Sequence, residues 1–469
     1  MNRRTSIDGL AAFGNRLREF GRIAGHFRNY TLFFITITLE GTANAQQNIL
    51  YTPIPSGFDF PADQQTLLKL LDAGDVAGMR THAWMVFAGL TQPAVAADPN
   101  SEPIWETWYP GNDVFAPPST GPALQGFHPR TFKPLFSVPR QFLPIPGEPN
   151  LQAAGAALAS FTLFNQATMD HVRKNRYQMR STLQALNDSW SAQTPLAQRT
   201  VLPFPKDAMS LKVVWWVIKA NGITAMPIWD PKPPVANAPA QPPTKWNRVV
   251  VVDPSRTQIP AGETRDATLF GKKFKNSRVV PLEVFYHFRL TPDEAQQLQQ
   301  IGNGIPSADP NVRNAQAGDY LALVAMHYTT KEIPNWVWAT FWWHDKPDDG
   351  PFARNRPDAT KLKGPWRHYL MDVAMDVTKP LEANGSPHVT FNPWLEARFG
   401  NGTNSNCMAC HQLAVWDNQK FLPVVRGPVS LTDPRFTFPD GNGNTVTLDH
   451  GTSVDFLWSL LKEGDQPQR

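Results

Sequence analysis

Cysteine is nearly missing: Cys407 and Cys410 are the only two in 469 residues, so no disulfide framework holds this fold together. A bridge between these two would close a tiny loop and stabilise little. Charge of one sign is missing as well. The 44 Lys and Arg stand against 40 Asp and Glu, and a net charge of +4 gives no argument for a nucleic-acid partner. No stretch carries 18 uninterrupted apolar residues, so the sequence predicts no membrane span in the mature chain. There is no internal repeat, no phosphate-cradling P-loop and no G-x-S-x-G elbow, which removes repeat arrays and two large enzyme classes.

What is present points to a globular chain of two or three domains. Apolar residues make up 41% and charged residues 18%, enough to bury a core and too apolar for a disordered protein. The 45 prolines argue against long helical bundles and coiled coils. Helical spacing predicts helices at Gln64–Leu71 and Ala83–Leu90, and one or two more across Ala153–Leu186, where Leu158, Phe161, Leu163, Met169 and Val172 recur. Pro117–Pro118, Pro139–Pro149 and Pro227–Pro243 read as ordered loops or linkers. Lys212–Ile218, Val249–Val252, Tyr320–Tyr328 and Trp336–Trp343 are β-branched and aromatic, and read as strands, the last two apolar on both faces. Trp336, Trp338 and Trp342 would then alternate to one face, forming a packed layer in the main reading and a haem edge or aromatic groove otherwise. Arg435–Phe438 and Thr445–Leu448 flank a Gly/Asn turn and predict a hairpin. The turn resembles the start of a calcium loop but lacks the Gly and Glu that such a loop needs at Thr445 and Gly451. His344–Asp345 reads as a loop salt bridge or a solvated pair rather than a catalytic pair, since neighbouring strand side chains point apart.

The N-terminus has the pattern of an export signal. Arg3, Arg4, Arg16, Arg18, Arg22 and Arg28 precede a short apolar run, Tyr30–Leu39, and Ala43-Asn44-Ala45 supplies small residues at a cleavage site. Removing residues 1–45 lowers the net charge from +4 to +1. The basicity belongs mostly to this leader, and a periplasmic or otherwise exported location is expected.

The two cysteines form one motif with the histidine that follows: Cys407-Met408-Ala409-Cys410-His411, the C-x-x-C-H signature of c-type haem attachment. With 11 histidines in the chain, chance would produce this string about one time in ten thousand. Each thiol can add to one haem vinyl group, two intervening residues let both sulfurs reach one side of the macrocycle, and the next residue is held beneath the iron. A zinc site at the same cysteines would need two further ligands drawn from His or acid, since no other Cys exists.

On these residues the region from Asn392 to the C-terminus resembles the cytochrome c family, specifically at Cys407, Cys410 and His411. Pro393–Phe399 can form a short helix before the motif, and Ser453–Leu461 looks like the closing helix of that family. The block Phe391–His411 also resembles large bacterial single-haem proteins of unassigned role. The resemblance implies one covalent haem c, with His411 as proximal iron ligand. No Met follows Met408, so the sixth iron position is left with three options. One is His450, the only downstream imidazole. Another is an upstream residue: Met371 or Met375, or else His368 or His388. The third is an open iron. Two strong ligands restrict the site to electron transfer, whereas an open position permits peroxidase, oxygenase or sensing chemistry.

The expected whole is an α+β chain. It comprises a signal peptide (1–45), a mostly helical N-terminal region with Pro-rich loops (46–200), a β-rich body (201–390) with peripheral helices, and a small C-terminal haem-binding segment (391–469). The expected role is electron transfer to a redox partner protein.

Overall fold

The computed structural model describes residues 51–116, 159–195, 198–230, 242–303, 310–383, 385, 388–396, 406–412, 414–416, 436–439, 445–448 and 451–462. The leader, most of the Pro-rich stretches and His450 lie outside these residues. The architecture is α+β with a β-rich body.

Along the chain run α1 (Gln64–Asp72), α2 (Val76–Leu90), β1 (Tyr109–Pro110), α3 (Gly111–Val114), β2 (Ala159–Phe164), α4 (Gln166–Lys174) and α5 (Arg180–Asp188). Next come β3 (Met209–Ile218), β4 (Thr224–Ile228), β5 (Arg248–Asp253), β6 (Thr264–Leu269), β7 (Lys272–Pro281) and β8 (His287–Arg289). They are followed by α6 (Pro292–Asn303), α7 (Pro310–Arg313), β9 (Tyr320–Thr330), β10 (Val337–Trp343) and β11 (Tyr369–Ala374). The C-terminal part adds α8 (Cys407–His411), β12 (Val415–Trp416), β13 (Phe436–Pro439), β14 (Thr445–Leu448), β15 (Thr452–Ser453) and α9 (Ser459–Lys462).

A seven-stranded antiparallel sheet is the frame, in the order β1-β2-β3-β9-β10-β11, with β8 also pairing β9. β1 and β2 come from the stretch expected to be mostly helical, and β2 pairs with β3 from the body. A second sheet, β4-β5-β7-β6, is mixed, with β5 and β7 parallel. The predicted hairpin is present: Phe436 pairs Leu448 and Pro439 pairs Thr445.

The main sheet packs α2 against one face. This helix is apolar almost all round, as a buried helix must be, and Asp75 caps it by accepting from the Gly78 amide. Phe341 of β10 stacks on Phe87 (ring centroids 4.0 Å apart) and meets Trp84 edge-on at 5.3 Å. Each such ring removes enough apolar surface from water to contribute about 2–3 kcal/mol, with about 1 kcal/mol more for a well-oriented pair.

Three local expectations change. Ala159–Phe164 is a strand, because its backbone groups pair with β3 over six residues and that pairing outweighs helical spacing. Helices resume at α4, where Asn165 accepts from Thr168. Trp336 is outside β10, with φ of 64°, so it does not share the strand's alternation. Ser453–Leu461 is not one helix: Asp455 and Phe456 have φ of 51° and 67°, and only Ser459–Lys462 is helical. His344 and Asp345 are both buried, and Arg248 donates from Nη1 to both Asp345 carboxylate oxygens at 2.8 and 2.9 Å.

Candidate functional site

The face of the main sheet opposite α2 carries the site. Period-two alternation puts Trp338, Thr340 and Trp342 of β10 on that face. Register aligns Thr340 with His327 of β9 on one side and with Asp372 of β11 on the other. Trp338 is aligned with Thr329 and Ala374 in the same way.

Two C-terminal segments are fastened to this face by asparagines. Asn392 is wholly buried. Its Nδ2 donates to the Thr340 hydroxyl (2.7 Å) and the Phe341 carbonyl (3.1 Å). Its Oδ1 accepts from the Trp394 and Leu395 amides, and Glu396 Oε2 accepts from the Asn392 amide at 2.5 Å. This is a side-chain-capped turn built on Asn-Pro, with the Glu396 carboxylate reaching back to its first residue. The helix expected at Pro393–Phe399 is a turn over its described residues, 393–396, where the side chains of Asn392 and Glu396 take up the local backbone amides. Trp394 then packs between Trp216 and Trp246. Because Thr340 faces His327, the cap brings Glu396 Oε1 to 3.3 Å from His327 Nε2.

Asn406 performs the second fastening. Its Nδ2 donates to the Asp376 carbonyl (2.7 Å), while its Oδ1 accepts from the Met408 amide (3.0 Å) and so caps α8. Cys407 and His411 are four residues apart in this single turn, so they share one side of it. Met408 is wholly buried in a core with Trp336, Val377 and Leu457, against which Cys407 also packs. The Cys407 side chain is half-buried.

His411 is oriented from behind. Its Nδ1 lies 2.8 Å from the Phe456 carbonyl oxygen. A carbonyl only accepts, so Nδ1 carries the proton and, in the neutral ring, Nε2 keeps its lone pair for a metal. The indole of Trp338 lies against the imidazole, centroids 4.2 Å apart. The Phe456 carbonyl is held in turn. Asp455 accepts from Lys331 Nζ (2.5 Å), from Trp336 Nε1 (3.3 Å) and from the Phe204 amide (3.2 Å). Burial pulls the Lys331 ammonium below the usual lysine range, and the Asp455 carboxylate opposes that shift. β15 pairs with β12 directly after the motif, closing the chain around α8.

The candidate sixth ligands are dispersed. Met371 pairs with Phe341, on the α2 face of the sheet, and both Met371 and Met375 are buried in the main core. His368 stacks on Trp343, also on the α2 face, and lines a cavity of about 460 Å³ with Arg278 and Asp345. His388 has both ring nitrogens on carboxylates, Nε2 at 3.0 Å from Asp372 and Nδ1 on Glu382. Burial alone would lower its pKa, but Asp372 and Glu382 outweigh burial and push it up to about 9. Protonated on both nitrogens, that ring has no lone pair for iron. His450 lies outside the described residues, and so do the details of the Cys410 side chain.

His327 and Glu396 escaped the sequence analysis as site residues. The one signal was an imidazole within an otherwise apolar strand, and its meaning depends on register with a residue 13 positions away. Among the described residues no helix is long and apolar enough to cross a membrane. No family model, curated protein or solved structure matches the chain.

Proposed function

We propose that this chain is an exported mono-haem c-type cytochrome that passes electrons to a redox partner protein. Cys407 and Cys410 carry the haem and His411 is its proximal ligand. Each thiol adds across a vinyl double bond: sulfur bonds the carbon next to the ring, and the thiol hydrogen goes to the outer carbon. The attachment is redox-neutral and needs no oxidant. The observation that supports this reading best is the His411–Phe456 hydrogen bond, which fixes the tautomer that an iron ligand requires. The capped turn of α8 adds to it, since Cys407 and His411 share one side of the turn and Met408 is buried in the core. Bound haem supplies an iron that cycles between ferric and ferrous states one electron at a time. The protein's own part is to hold the imidazole and, through Trp338 and its neighbours, to keep water from it.

A second reading, a haem enzyme or sensor with an open iron position, is favoured by one observation. Met371 and His368 lie on the α2 side of the sheet, opposite the face where Trp338 meets His411. Two measurements decide. The mature chain is purified from a host equipped for cytochrome maturation and weighed. A haem-bearing mass is expected, and a colourless product at the bare-chain mass would reject both readings. A low-spin spectrum indifferent to carbon monoxide and cyanide fits electron transfer; a high-spin iron that binds them fits the enzyme or sensor.

A further inference from the structure

Zinc at the cysteine motif would need further ligands drawn from His or acid, and the fold brings one of each to Cys407. The ligating atoms of His327, Glu396 and Cys407 all lie within 4.8 Å of one another, and all three side chains are half-buried. They arrive from three separate elements: β9, the Asn392-capped turn and the start of α8. Each is fixed independently, His327 by register opposite Thr340, Glu396 by its second oxygen on the Asn392 amide, and Cys407 by the Asn406 cap. The His327–Glu396 separation of 3.3 Å equals the ligand–ligand edge of a tetrahedral site with bonds of about 2.0 Å. An ordinary His–Glu ion pair would not need a sulfur beside it. One nitrogen, one carboxylate and one thiolate suit a borderline-soft ion and disfavour magnesium or calcium.

We propose that His327, Glu396 and Cys407 bind a divalent transition metal of the zinc class, with a fourth position open to water, in the chain before haem is attached. One sulfur cannot be both a metal-bound thiolate and a haem thioether, so the site belongs to the haem-free form. The metal-binding claim itself stands apart from the haem reading.

The full chain, produced without cytochrome-maturation machinery, is titrated with Co²⁺ alone and then with competing Zn²⁺. One equivalent of Co²⁺ should give a sulfur-to-cobalt absorption band that Zn²⁺ abolishes. His327→Gln and Glu396→Gln should each weaken binding roughly tenfold or more. Cys407→Ser should remove the band, and Cys410→Ser should keep it. Circular-dichroism melts verify that each variant folds. Absence of the band at one equivalent overturns the proposal. So does a band unaffected by both Gln substitutions, or one lost in Cys410→Ser, which would assign the metal to the two cysteines. Mass of the matured protein separates the two ideas: a chain that takes haem but not cobalt sinks only this one, and a chain that takes cobalt here but never haem sinks only the cytochrome.

Discussion

The two faces of the main sheet are built from alternate residues of the same strands, yet they do different work. Toward α2 stand Tyr328, Ala339, Phe341, Trp343, Met371 and Val373, all buried and joined in one core. On the other face Trp338 shares its surface with Thr340, His327, Thr329 and Asp372. A face that only excludes water can be filled by shape. A face that must hold capped turns and an oriented imidazole needs donors and acceptors at fixed register, and it keeps them buried only because each finds a partner.

The sharpest break between the faces comes from Phe341→Ala. It should cost about 3–5 kcal/mol, as expected for a large aromatic lost from a packed core, read from denaturant midpoints. Haem content and the visible spectrum should stay the same below the melting range. A changed haem spectrum would mean that the two faces are not separable. Lys331→Ala comes next. It leaves Asp455 buried opposite Trp336 without its cation, at a cost of about 3 kcal/mol, the low end for breaking a buried pair. Unlike Phe341→Ala, it should also disturb the iron–histidine vibration of the matured protein, because Asp455 adjoins the carbonyl that holds His411. Asn392→Ala removes four hydrogen bonds at once and leaves the Thr340 hydroxyl buried, for about 2 kcal/mol. It should free Glu396 and weaken cobalt binding without altering the haem spectrum.

The face toward α2 was largely legible in the sequence. β3, β5, β9 and β10 announce themselves as β-branched and aromatic runs, and α2 as an apolar helix, because their local preference and tertiary setting agree. β2 was not legible. Ala153–Leu186 is rich in helix formers, and only the partner strand, about 50 residues away, decides the matter. The working face was legible at Cys407, Cys410 and His411, where chemistry fixes the spacing, and illegible at its supports. Nothing local marks Asp455 and Phe456 as left-handed residues; a contact with Lys331, 124 positions away, holds them there. His327 and Glu396 are likewise joined only through the register of β9 with β10 and the cap on Thr340.

The smallest effect belongs to the edge where the faces meet. Asp372 lies 3.6 Å from Arg80, which reaches round from α2, and 3.0 Å from His388 on the working side. With a folded pKa of about 9 against an ordinary 6.5, His388 binds its proton more tightly in the folded chain. Its contribution is therefore complete below about pH 6.5 and fades as pH rises through about 9. Because Glu382 is half exposed, solvent screens part of the pair, and the effect should be on the order of 1 kcal/mol. Thermal melts from pH 6 to 10 should show the decline, and His388→Gln should flatten it. A decline that persists in His388→Gln would move the titration to another group. Arg80 would then be the cation that balances Asp372, and the edge would belong to the packed face.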